Sequence, residues 1–147
     1  MDLISFESFV KQIDNGDYNC IIVNKNDAIR FKSHGIKTLL AVLEENPCVL
    51  ESAYVFDSIV GKAAAALMIL GKVKEIYADV ISENAVALLD EWKVKYSYKT
   101  KVSFIENRTH SGLCPMEEIS IKCSTLDEIK NALSAFTASK ILCNNLW

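Results

Sequence analysis

Residues 63–70 read AAAALMIL, an apolar run framed by Lys62 on one side and Gly71-Lys72 on the other. A helix of this composition has no polar face to offer water, so it belongs in the middle of one layer of a packed domain. It is too short to span a bilayer, which needs about 20 apolar residues. The run extends backward into DSIVGK (57–62), and the spacing predicts a helix over 58–70 that Gly71 ends.

The elements needed to surround such a helix are present. Leu3, Phe6, Val10 and Ile13 stand at helical spacing, with Asp2 as N-cap and Gly16 as stop. Apolar segments 20–23 and 28–31, separated by Asn24-Lys25-Asn26-Asp27, read as a hairpin. Ser33 caps a segment with Ile36, Leu39, Leu40 and Leu43 on one face, and Pro47 lies beyond its end. Residues 53–56 and 73–81 read as strands. Ser82 then caps a helix with the stripe Ala85, Leu88, Leu89 and Trp92, and 94–104 is one or two strands. Pro115 lies just inside the start of a short helix, and Thr125-Leu126-Asp127-Glu128 is a capping box before Ile129, Leu133 and Phe136. A hairpin followed by two βα units predicts a single α/β domain over 1–147, a three-layer α/β/α sandwich with a mixed sheet.

Composition excludes several classes. The 147 residues are half apolar and 24% charged, which suits one globular domain and not a disordered chain. The net charge of −3, with no long Lys/Arg stripe, argues against nucleic-acid binding. The start MDLISFESFVKQID has no basic stretch leading into an apolar core, so no signal peptide is expected, and neither is membrane insertion. A cytoplasmic location follows as the expectation. The five cysteines, Cys20, Cys48, Cys114, Cys123 and Cys143, form no CxxC pair and read as reduced thiols. With only His34 and His110 to join them, no zinc site is expected.

The chemically informative residue is Lys62. Gly61-Lys62 is not a phosphate-binding loop, because Phe56 stands where the first glycine is required and Ala63 where Ser or Thr is required. A lysine in the first turn of a helix opposes the dipole, and if buried it needs a partner. Asp57 is one such partner, Asp79 or Glu83 another. A third is a bound anion shared with the free N–H groups of the helix start. The bland alternative is a buried stem with its nitrogen in water. Gly61 reads as a close-packing position. Asp79 is expected to share a strand face with Tyr77 and Ile81.

Four stretches, DSIVGKAAAALMI (57–69), YADVISENAVALL (77–89), YSYKTKV (96–102) and NRTHSGLCPMEE (107–118), together resemble the family called domain of unknown function 1893 over roughly residues 4–120. The resemblance implies a cytidine-deaminase-like fold. Deaminases carry a His or Cys with a Glu two residues on at one helix start, and Pro-Cys-x-x-Cys at the next. Here those positions correspond to 57–62, without His-x-Glu, and to Ser82-Glu83-Asn84-Ala85, without cysteines. The resemblance therefore implies a zinc-less branch with no metal and no cofactor. Two helix N-termini would converge at the strand ends, where α/β sheets hold ligands. Asp57, Lys62, Ser82 and Glu83 would line the pocket, with Arg108 as a further anion contact, and a small anionic, nucleotide-like ligand is expected. A homodimer is compatible with the fold.

Cys114 is the candidate nucleophile. It precedes Pro115 at a helix N-cap, where dipole and amides favour a thiolate, with Arg108 and His110 in the preceding loop. Its alternative reading is a buried, inert thiol. His110 reads as a solvated loop residue, and Arg108 as either an anion ligand or a tie to Glu117 or Glu118. Glu117 itself is expected to favour the dipole of its own helix. Three functions compete: a zinc-less anion-binding protein that is either an enzyme or not, thiol or sulfur-transfer chemistry at Cys114, and a non-catalytic scaffold or regulatory module.

Overall fold

The computed structural model describes residues 1–33 and 35–142, the side chains of 35 and 140–142 excepted, so His34 and Cys143 lie outside the described residues. The chain runs through α1 (Leu3–Asp14), β1 (Cys20–Asn24), β2 (Asp27–Phe31), α2 (Gly35–Glu45), a 3-10 turn (Pro47–Val49), β3 (Tyr54–Val60), α3 (Lys62–Leu70), β4 (Glu75–Ser82), α4 (Glu83–Glu91), β5 (Lys95–Val102), α5 (Pro115–Ile121) and α6 (Leu126–Leu142). The strands form one mixed sheet in the order β2-β1-β3-β4-β5. β1 pairs antiparallel with both β2 and β3, while β3–β4 and β4–β5 are parallel.

The caps sit where their side-chain chemistry directs. The Asp2 carboxylate accepts the Ser5 amide at 2.8 Å, and the Ser82 hydroxyl accepts the Ala85 amide at 3.2 Å. Thr125 accepts the Glu128 amide at 3.1 Å, while the Glu128 carboxylate reaches back to the Ser124 amide at 2.8 Å. Ser33 pairs with the Thr38 hydroxyl at 2.9 Å, a bond between two side chains and not a cap on an α2 amide.

One boundary differs from its sequence expectation. Residues 58–60 are strand rather than helix, because Ile59 and Val60 continue the parallel ladder opposite Val80 and Ile81. Gly61, at φ −97° and ψ −176°, is the extended N-cap, and α3 starts only at Lys62. Asp57 therefore lies inside β3, opposite Cys20 on one side and Ala78 on the other. The strand expected over 94–104 is a single one, β5.

Two apolar layers flank the sheet. On one face α1 packs Phe6, Phe9 and Ile13 against Ile21, Phe56 and Tyr77. The other face carries the larger core, from Cys20, Ile22 and Val55 through Ala63–Met68 of α3 to Leu89, Met116, Ile129 and Leu133. Helix α3 touches α2, α4, α5 and α6, the central position its composition requires. Among the described residues no helix is long and apolar enough to cross a membrane.

The parallel ladder skips the row Ser58–Asp79–Lys99. The alternation of the strands changes there: Ile76 and Ala78 face the large core before the row, and so does Ile81 after it. Tyr77 packs on the α1 side, so Asp79 does not share one face with both Tyr77 and Ile81.

Candidate functional site

The α3 head has no cap of its own, because Gly61 carries no side chain. Its acceptor comes from α5. Glu117, 2% exposed, takes the Lys62 amide on Oε1 at 2.9 Å and the Ile105 amide on Oε2 at 2.8 Å. The Ser82 hydroxyl, which caps α4, donates to Glu117 Oε1 at 3.5 Å. One carboxylate thus joins the heads of α3 and α4 and the segment leaving β5. An anion at a helix N-terminus is stabilised by the dipole and by unpaired N–H groups, and here the protein supplies that anion. Gly61 is small for the same reason: a Cβ would stand 3.1 Å from both Glu117 Oε1 and Ile105 Cγ1.

The sequence assigned Glu117 only to the dipole of its own short helix. A bare glycine cap was the available signal that an acceptor must arrive from elsewhere. Nothing in the local spacing says which acid supplies it.

Of the residues singled out from sequence, Lys62 through its amide and Ser82 through its hydroxyl share this partner. Lys62 itself is half-buried, and among the described residues its ammonium has no carboxylate partner. Glu83 is exposed in the first turn of α4.

Asp57 sits apart, 1% exposed, with Oδ1 3.4 Å from the Ile59 amide and Oδ2 without a hydrogen-bond partner. Burial pushes its carboxyl up to about 7. Burial also pushes the Cys20 thiol up, and the neighbouring Asp57 charge adds to the shift.

Arg108 lies in the segment 106–113, closed by the Asn107 amide on the Gly112 carbonyl at 2.9 Å and by the Ser111 amide on Asn107 Oδ1 at 3.0 Å. Arg108 is exposed and has no hydrogen bond or ion pair among the described residues, including to Glu117 or Glu118. His110, at φ +55°, meets Glu106 Oε2 through Nδ1 at 2.7 Å. Cys114 is the half-buried N-cap residue of α5, packed against the large core. Its side chain caps no amide, while its own N–H bonds the Ile105 carbonyl at 2.9 Å.

A groove of about 820 Å³ opens beside this loop at the carboxyl ends of β3, β4 and β5. Ile59, Val80 and Val102 form its floor, and Phe104, Glu106 and His110 belong to its wall. The interrupted strand row makes the floor: beyond it these apolar side chains turn away from the large core, and Ile59 is left 47% exposed.

A mixed sheet whose two adjoining helix heads are closed by a buried glutamate defines an α/β-sandwich protein. In it no group of three or more His, Cys, Asp or Glu among the described residues is placed to hold a metal ion. The chain belongs to the family described as Domain of unknown function (DUF1893), whose model matches residues 8–137. It is similar to the solved structure of a DUF1893 family protein, TM1506, from Thermotoga maritima, at 26% identity over 92% of each chain with a TM-score of 0.82. No curated protein matches it.

Proposed function

We propose that this DUF1893 protein is a cytidine-deaminase-like domain that binds a small amphipathic anion, nucleotide-like in build, without zinc. In this reading Glu117 occupies the place between two helix heads that deaminases give to a metal, so hydrolytic deamination is not its chemistry. In this reading Lys62, Ser82, Glu83 and Arg108 would hold the anion at the α3 and α4 heads, outside the lining of the groove itself, and Asp57 sits apart inside β3. The observation that carries the reading is that Lys62 and Arg108 belong to the two segments Glu117 ties together, and neither has a carboxylate partner among the described residues. The apolar floor at Ile59, Val80 and Val102 suits the uncharged body of such a ligand, at the carboxyl ends of parallel strands where α/β proteins hold ligands.

The test is a thermal-shift and calorimetric panel of inorganic phosphate, nucleoside monophosphates and aromatic carboxylates. An amphipathic anion is expected to raise the melting temperature by about 2 °C or more, and phosphate alone by less. Arg108→Ala and Lys62→Met should each reduce that shift, while Cys114→Ser keeps it. A panel without any stabilising anion, or a shift that survives in both charge variants, overturns the reading.

A further inference from the structure

We propose that the free edge of β5 is a docking strand for an acidic, extended peptide segment of a partner protein. The edge belongs to one of the two longest strands, has eight residues and contains no proline. It closes the sheet with no strand beyond it among the described residues, so it presents a row of unpaired backbone donors and acceptors. The opposite edge, β2, has five residues and carries both an acid and a base, Asp27 and Arg30. β5 reads KYSYKTKV, with Lys95, Lys99 and Lys101 exposed and no acid.

The charge of this strand selects its occupant. Like strands set side by side would bring two sets of lysines together, so the same residues that repel a second copy attract a segment rich in Asp and Glu. Lys95 already holds Glu75 of the neighbouring strand at 3.5 Å, which shows the carboxylate spacing such a lysine accepts across a ladder. The stacked rings of Tyr96 and Tyr98, 6.3 Å apart, give an incoming side chain an aromatic surface, and Tyr98 is 41% exposed. On its inner side β5 pairs with β4 over 95–98 and 100–102, skipping Lys99. Backbone pairing supplies the affinity of strand addition, and the lysines supply its sign preference.

The probe is a fluorescein-labelled six-residue peptide alternating glutamate with valine, read by polarisation on the full chain. Binding is expected to weaken about tenfold between about 50 and about 300 mM NaCl. A Lys99→Glu/Lys101→Glu double variant should bind about tenfold less, and these exposed positions leave the fold intact by circular dichroism. A peptide with lysine for glutamate should not bind, and N-methylation on its pairing edge should abolish binding by the acidic peptide. Each of four results overturns the proposal: equal binding of the lysine peptide, unchanged binding of the N-methylated peptide, preference of the edge for a single-stranded oligothymidine over the peptide, or sedimentation that shows the edge closed by a second copy.

Discussion

Glu117 takes the Lys62 amide at 2.9 Å across 55 residues of chain, so a side chain in one helix closes the head of another. Because Gly61 cannot cap, the first turn of α3 depends on a residue near the end of the fold. That couples the central helix to α5 and to the segment after β5 through one buried charge.

Glu117→Gln keeps the shape and removes the charge, and its amide nitrogen must then face one of two N–H donors. The variant is expected to lose about 2–3 kcal/mol of stability, since bonds to a charged acceptor are worth more than neutral ones and the loss leaves a buried donor unsatisfied. Urea unfolding followed by circular dichroism measures it. A loss below about 0.5 kcal/mol would mean the carboxylate does not hold the two heads.

Asp57 makes stability depend on pH. Its carboxyl is raised from 3.8 to about 7 in the folded chain, so between these values the folded state holds a proton that the unfolded state has lost. The contribution therefore favours folding on the acid side and is lost as pH rises from about 4 to about 7, by a few kcal/mol. Asp57→Asn stays neutral throughout. Plotted against pH, the stability difference between wild type and variant should grow in favour of the variant up to about 7 and then level off. Parallel curves would sink this assignment.

Gly71 is held to its size by Leu50. A Cβ there would lie 2.7 Å from Leu50 Cδ1 and 2.8 Å from Leu50 Cβ, and Leu50 is fully buried. The backbone at Gly71, φ −75°, is ordinary, so the cost of alanine is steric alone. Gly71→Ala is expected to cost about 1–2 kcal/mol, overpacking offset by the lower entropy of the unfolded chain. Combining it with Leu50→Ala should cost less than the sum of the two single changes, a coupling measurable by a double-mutant cycle.

Thiol reactivity should follow exposure. Cys48 is exposed, Cys114 and Cys123 are half-buried, and Cys20 is buried with its thiol held well above the usual range. Of these four described cysteines, iodoacetamide at neutral pH is expected to label Cys48 first and Cys20 only on unfolding, as peptide mass spectrometry would show. Labelling of Cys114 ahead of Cys48 would instead support thiol chemistry at the α5 head.

Short-range chemistry was legible in the chain. The order of elements follows from periodicity, the caps at Asp2, Ser82 and Thr125 from hydroxyl and carboxylate side chains that act within three residues, and the central place of α3 from its lack of a polar face. The zone around Asp57 was misplaced because DSIV suits either the end of a strand or the start of a helix. Pairing with β1 and β4 decides between them, and pairing is a property of distant strands.

The tertiary structure alone selected Glu117, one of 19 acids, as the anion at the α3 head. It alone turned Ile59, Val80 and Val102 out onto one groove. The reason is one of range. Helix and strand preferences are local energies written in neighbouring residues, whereas the partner of a bare helix head and the face a strand presents past a break in its ladder depend on segments brought together only when the sheet and the helices over it are assembled.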